Sequence, residues 1–152
     1  MLKNQYMKAK QPVIDKIRKF NRYYTKLLGL MDNHLLESKY SLAEARILYE
    51  IQAMGKISAS QIISAIDIDK GYLSKVLKHF EKTGLISKEL SDTDGRVILL
   101  SLTDQGKIIY GELDRASNLQ VDALISKFND DEQKELTTHM HAIMEMLSLK
   151  DS

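Results

Sequence analysis

Along the first quarter of the chain, apolar residues recur at intervals of three and four: Val13, Ile14, Ile17, Phe20, Tyr24, Leu27, Leu28, Met31 and Leu35. That period predicts one long amphipathic helix over 13–36. About 24 helical residues reach roughly 36 Å, more than a small domain is thick, so part of the stripe calls for a helix from a partner. Helix caps punctuate the middle of the chain. Ser41 with Glu44 three residues on forms a capping box and opens a helix through Ala45, Ile47, Leu48 and Ile51 that stops at Gly55. Ser58 and Gln61 repeat the signature for a short helix ending near Ile66. Asp67 or Asp69 caps a fourth helix, with Leu73, Val76, Leu77 and Phe80 on its buried side and Gly84 as its stop.

After Gly84 the period falls from 3.6 to 2. Residues 85–90 and 97–102 read as two strands around the polar turn Ser91-Asp92-Thr93-Asp94-Gly95-Arg96. Thr103 caps a helix carrying Ile108, Ile109, Leu113, Leu119, Val121, Leu124, Ile125 and Phe128. Asn129-Asp130-Asp131-Glu132 opens the last helix, which carries Leu136, Met140, Ile143, Met144 and Leu147, and its three carboxylates suit the positive end of a helix. The expected fold is mainly α with one β-hairpin: a winged helix-turn-helix flanked by long N- and C-terminal helices, in a single domain spanning 1–152.

The two-residue linker Asp67-Ile68 holds its helices at a steep angle, and this lets the fourth present its outer face to a major groove. Outside lie Lys70, Gly71, Tyr72, Ser74, Lys75, Lys78 and Lys82. Tyr72 and Ser74 can touch bases or phosphates, Lys75 reaches guanine acceptors or a phosphate, and Lys78 suits backbone contact. The same lysines also fit an ordinary solvated face. At the turn, Arg96 either enters a minor groove with Asp94 holding its guanidinium, or pairs with Asp94 only to stabilise a surface loop.

Charge sharpens this picture. The 152 residues carry a formal net charge of +1, but residues 1–26 hold eight Lys and Arg against Asp15 alone, a net of +7, and residues 97–152 a net of −5. The basic segment suits an anionic partner such as double-stranded DNA, or the acidic segment of its own or a second chain. Residues 67–96 are neutral, six basic against six acidic, so DNA affinity has to come from local placement, from the N-terminal lysines or from two heads in a dimer. Without that, the same fold would serve as a winged-helix protein-interaction module lacking sequence-specific DNA binding.

Several classes drop out. Cys is absent, which removes disulfides, thiol nucleophiles and Cys-ligated zinc. No apolar run approaches a membrane span, and Met1-Leu2-Lys3 leads into polar sequence, so no membrane partner and a cytoplasmic location are expected. His139 and His141 fall on different helix faces; His34 and Glu37 share a face but lack a third ligand. No metal, no cofactor and no catalytic constellation is expected.

The ordered set of motifs over 62–106 resembles the winged-helix core of the MarR family of bacterial transcriptional regulators. Leu73-Ser74-Lys75-Val76-Leu77-Lys78-His79-Phe80-Glu81-Lys82-Thr83-Gly84-Leu85-Ile86 is similar to its recognition helix and first strand, Asp94-Gly95-Arg96 to its wing tip, and Leu102-Thr103-Asp104-Gln105-Gly106 to its strand-to-helix exit. The likeness covers residues 10–148. It implies a homodimer, as the long apolar stripes already ask, acting as a repressor on a pseudo-palindromic operator. Residues 41–102 would be the DNA-binding lobe, and 10–36 and 104–148 the dimerisation helices. It assigns groove contacts to Lys70, Tyr72, Ser74, Lys75 and Lys78 and the minor-groove role to Arg96. Tyr72 stands where a small hydroxyl is usual and Lys75 where Arg is frequent, which leaves base preference open.

Residues 17–24 and 40–50 further resemble the regulator half of MarR-type proteins fused to an acetyltransferase. The family resemblance also implies a small amphipathic or aromatic effector between the dimerisation helices and the DNA-binding lobe. Its walls here would draw on Tyr23, Tyr24, Leu27, Met31, Tyr40, Leu48 and Tyr49, with Arg18, Arg22 or Arg46 facing an anionic group. The same aromatics fit ordinary core at helical spacing.

Overall fold

A helix that buries one stripe needs a wall to bury it against, and the winged lobe is built as that wall. The computed structural model describes residues 2–35 and 38–148, with side chains described over 10–29 and 38–148. Among the described residues six helices and three strands run in order: α1 (Leu2–Leu35), α2 (Leu42–Met54), β1 (Ile57–Ser58), α3 (Ala59–Ile66), α4 (Lys70–Lys82), β2 (Ile86–Leu90), β3 (Ile98–Leu102), α5 (Asp104–Ile125) and α6 (Asp130–Ser148). The chain divides into two units, Met1–Asp114 and Arg115–Ser152, with α5 running through the division.

The caps expected from sequence form as expected. Ser41 accepts from the Glu44 N–H while the Glu44 carboxylate accepts from the Ser41 N–H, and Ser58 and Gln61 do the same for α3. Asp69 caps α4 by accepting from the Tyr72 N–H at 2.8 Å. Asp67 instead ends α3 in the left-handed region, φ 50°, where a short polar side chain is tolerated. At the far end of α4, Leu85 N–H donates to the Phe80 carbonyl and Gly84 N–H to that of Glu81, with Gly84 at φ +75°. This is a Schellman ending, and it turns the chain sharply into β2. Asn129 and Glu132 cap α6 reciprocally.

Three features differ from the sequence reading. First, α1 begins at Leu2, well before Val13, and runs through Pro12, although proline commonly opens or breaks a helix. Second, the hairpin is joined by a third strand. β1 pairs antiparallel with β3 (Ile57 opposite Leu100), giving the order β1-β3-β2, and two residues are too few to show a period in sequence. Third, Phe128 lies beyond the end of α5, in the turn before α6, where its N–H donates to the Ile125 carbonyl. The expected helix end at Leu36, and the pairing of His34 with Glu37, lie outside the described residues.

The core is that of the winged lobe. Ile47, Leu48 and Ile51 of α2, Ile57 of β1, Ile62 of α3, Leu73, Val76, Leu77 and Phe80 of α4, and Leu85, Ile86, Leu100 and Leu102 of the wing are all buried. Full burial of a side chain such as Phe80 stabilises the fold by roughly 1.5–3 kcal/mol. Leu113 of α5 joins them, and the start of α5 is locked to the wing by Thr103. Its N–H donates to the Leu85 carbonyl, its hydroxyl donates to the Gly84 carbonyl at 2.5 Å and accepts from the Gly106 N–H at 3.0 Å. By contrast α6 has no buried residue among those described.

The two glycines of α5 should respond oppositely to a methyl group. A Cβ on Gly106 would collide with the Leu85 carbonyl oxygen, so Gly106→Ala should cost about 1–3 kcal/mol. Gly111→Ala on the same helix meets nothing within 4 Å and should be neutral or stabilising by up to about 1 kcal/mol. Equal urea midpoints for the two variants would contradict this. Removing the α4 cap in Asp69→Ala should cost about 1 kcal/mol, with Asp69→Asn close to the parent protein in thermal melts.

Candidate nucleic-acid interface

With the apolar stripe of α4 committed to the core, its other side is obliged to face out. Lys70, Tyr72, Ser74, Lys75 and Lys78 are all exposed there, Tyr72 by 40%. Asp69 shapes the approach to this face, since a Cβ on Gly71 would meet its Oδ2 at 3.2 Å. A side chain at 71 would need the Asp69 carboxylate that caps the helix to give by a few tenths of an ångström.

The wing is a β2–β3 ribbon registered from Ile86 opposite Leu102 to Leu90 opposite Ile98. Its loop is organised by Ser91, whose N–H donates to the Val97 carbonyl and whose hydroxyl accepts from the N–H groups of Thr93 and Asp94. The Asp94 carboxylate accepts from the backbone N–H of Arg96 at 3.1 Å. Of the two roles open for this pair, the structure therefore has Asp94 holding the loop backbone. Among the described residues the Arg96 guanidinium has no ion-pair partner.

The neutral count over 67–96 hides a spatial division of labour. Lys88 pairs with Glu81 at 2.6 Å, Lys56 with Glu89, and Arg46 with Glu50 at 3.0 Å. The Glu89 carboxylate, by hydrogen bond and then by charge, raises the pKa of the Lys56 ammonium above its ordinary value. Asp69 and Asp94 are bonded to backbone N–H groups. Lys70, Lys75, Lys78 and Arg96 have no ion pair among the described residues. The cations that structure the lobe are thus neutralised, while those on the outer face of α4 and at the wing tip are free.

The residues expected around an effector are scattered in the single chain. Arg18, Arg22, Tyr23 and Tyr24 are exposed on α1, where Tyr24 stacks on Phe20 with ring centroids 5.7 Å apart. Leu27 is half-buried, and the side chain of Met31 lies outside the described residues. Tyr40 is half-buried with its ring edge toward Phe80, and Leu48 is wholly buried in the core. Arg46 lies over the Tyr49 ring, 5.8 Å from its centroid, and borders an open cavity of about 690 Å³ together with Leu42, Ala43 and residues 64–68. Sequence reasoning missed Tyr110 of α5, whose hydroxyl pKa is raised by burial first and then by the Asp114 and Tyr49 charges. It also missed the groove between α4 and the wing, which pairs residues distant in sequence and has no local signal.

His139 and His141 lie within 3.5 and 3.3 Å of Glu135 and Glu145, each one turn away on α6. No cluster of three or more His, Asp or Glu able to hold a metal occurs among the described residues. No helix among them is long and apolar enough to cross a membrane.

Comparison with known proteins agrees with this architecture. The pattern of the MarR family matches residues 39–97, which hold α2, the helix-turn-helix, and the first strand and loop of the wing. The HTH-type transcriptional regulator MgrA of Staphylococcus aureus is 30% identical over 121 residues, 78% of this chain and 76% of that protein. Streptococcus pneumoniae FabT, solved in complex with DNA, superposes with a TM-score of 0.74 at 21% identity, over 87% of this chain and 97% of that one. Wild-type MarR of E. coli in its apo form gives 0.72 at 19% identity, over 83% and 94%. The chain belongs to the MarR family and is a DNA-binding transcriptional regulator of the winged helix-turn-helix type.

Proposed function

We propose that the protein is a homodimeric repressor that binds a pseudo-palindromic operator. In this reading α4 enters the major groove through Lys70, Tyr72, Ser74, Lys75 and Lys78, and Arg96 enters the adjacent minor groove from a loop held by Asp94. The observation that carries it is the set of unpaired cations on α4 and the wing, beside a lobe whose other cations are paired. Free ammonium and guanidinium groups are available to displace counterions from phosphates, and DNA affinity grows with the number of phosphates neutralised. Residues 41–102 form the DNA-binding lobe, and the location is cytoplasmic because the partner is genomic DNA.

Dimerisation through 10–36 and 104–148 is supported by apolar surface that the single chain leaves in water. On α1, Val13, Ile17, Phe20 and Tyr23 are 48–67% exposed; on α5, Ile108 and Leu119 are 56% and 63% exposed; on α6, Met144 and Leu147 are 66% and 72% exposed. Apolar rows of this extent on three helices match the apolar character of obligate homodimer interfaces. A small amphipathic or aromatic effector is proposed to bind near Tyr23, Tyr24, Leu27, Met31, Tyr40, Leu48 and Tyr49, with Arg18, Arg22 or Arg46 facing its anionic group. The approach of Arg46 to the Tyr49 ring, at the border of the open cavity, supports this reading. The likeness to regulators fused to an acetyltransferase rests on residues 17–24 and 40–50 alone, and the relatives named above add no support to it.

Sedimentation should give about 35 kDa, twice the 17.4 kDa of the chain; a concentration-independent 17 kDa species at micromolar protein would contradict the dimer. Footprinting of DNA flanking the gene should protect an inverted repeat. A folded dimer that protects nothing at low salt would instead favour a protein-interaction module. On the protected duplex, Lys75→Ala should weaken binding and relax discrimination by roughly 1–3 kcal/mol, the range for a good base contact. Arg96→Ala should weaken binding most where the minor groove is narrow. Changes of less than about twofold from both variants in fluorescence anisotropy would place the reading surface elsewhere.

A further inference from the structure

Between the start of α2 and the α3–α4 linker lies the open cavity of about 690 Å³ that Arg46 borders, a volume in the range of small-molecule sites. Much of its wall is apolar, with Leu42 on α2, Ile66 at the end of α3 and Ile68 in the linker, and Leu42 leaves 48% of its surface in water. Two opposite charges border it from different elements. The Arg46 guanidinium is held from one side, its Nε–H donating to Glu50 at 3.0 Å and its plane lying near the Tyr49 ring, while its terminal Nη groups make no hydrogen bond among the described residues. Across from it, the Asp67 carboxylate has neither a hydrogen bond nor an ion pair among the described residues. Asp67 is the one non-glycine residue among them with a positive φ, 50°. That conformation favours a short polar side chain, but Asn serves it as well as Asp, so the backbone does not account for the charge.

We propose that this cavity binds a zwitterion with an apolar body, either an apolar α-amino acid or a short apolar peptide. The free Nη groups of Arg46 donate to its carboxylate, the Asp67 carboxylate accepts from its ammonium, and Leu42, Ile66 and Ile68 receive its side chain. A simple anion would meet the Asp67 carboxylate and a simple cation the Arg46 guanidinium, and like charges repel. A molecule that carries both charges satisfies both walls. The proposal rests on the effector reading above only in giving Arg46 an anionic group to face; the α3 and linker walls and the requirement for an ammonium belong to this cavity. An occupant ties α2 to the two-residue linker that sets α4. Because a ligand stabilises the arrangement it binds, and this arrangement is the one that displays α4, occupancy and operator binding each tighten the other by the same factor.

The test is isothermal titration of the full-length protein with L-leucine and with leucyl-leucine, and the tighter of the two tells the free amino acid from the peptide. Isocaproate and isoamylamine keep the same apolar body but lack the ammonium and the carboxylate respectively. At least one zwitterion should bind saturably, and both truncated compounds at least about tenfold more weakly, the worth of one hydrogen bond to a charged group. Arg46→Gln and Asp67→Asn should each weaken that zwitterion about tenfold or more, with circular dichroism checking that both variants are folded. The Asn variant keeps the left-handed turn and removes only the charge. In fluorescence anisotropy on the footprinted duplex, the saturating zwitterion should tighten binding by the parent protein and leave Asp67→Asn unmoved. The proposal is overturned if neither zwitterion binds, if isocaproate binds as well as leucine, if Asp67→Asn binds the zwitterion like the parent, or if occupancy leaves operator binding unchanged. Benzoate probes the effector reading separately: saturable benzoate binding that Asp67→Asn does not alter leaves that reading standing when the zwitterion fails.

Discussion

The burial of one side of α4 is the constraint on which the rest depends. Leu73, Val76, Leu77 and Phe80 must leave water, and α2, α3 and the wing supply the wall that receives them. A helix rotated to satisfy that wall has no freedom left to choose its outer face. Lys70, Tyr72, Ser74, Lys75 and Lys78 are therefore displayed as a consequence of core packing, and the cap at Asp69 and the Schellman turn at Gly84 set where that face begins and ends. The geometry of that outer face is a by-product of hydrophobic burial. The free energy that positions it comes from the core, on the opposite side of the helix.

Charge is arranged by a second rule, which the neutral count over 67–96 conceals. Glu50, Glu81 and Glu89 are engaged with Arg46 and structural lysines, and Asp69 and Asp94 with backbone N–H groups at the starts of α4 and of the wing turn. Exposed pairs of this kind add little stability, about 0–1 kcal/mol each. Their larger effect is on where charge lies: they neutralise Arg46, Lys56 and Lys88 and leave Lys70, Lys75, Lys78 and Arg96 without an ion pair among the described residues.

The winged lobe is self-sufficient in its core, whereas the helices outside it are not. Thr103 and Gly106 bind the start of α5 to the Gly84–Leu85 turn, where a carbonyl oxygen takes the space a Cβ would need. Beyond that junction the apolar residues of α5 and α6, like those of α1, stay largely in water. Such rows are unfavourable in isolation, and the homodimer proposed above would give them apolar surface to bury against.

Much of this was legible in the linear sequence because its signals are local. Capping boxes at Ser41 and Ser58, the stop at Gly84, the change of period after it and the identity of the four buried α4 residues depend on neighbours within one or two turns, and all appear in the structure. Local signals failed at Pro12, which α1 runs through, and in the two-residue strand β1, which exists only because Leu99 and Leu100 lie opposite it. The sequence could also name Asp94 and Arg96 as a pair, but not whether the carboxylate would hold the guanidinium or the backbone. Only the tertiary structure decided that, along with which lysines are neutralised and the groove between α4 and the wing. Those properties belong to residues distant in the chain, such as Glu81 with Lys88 and Lys56 with Glu89, whose meeting is set by packing and strand register. No spacing along the sequence encodes them.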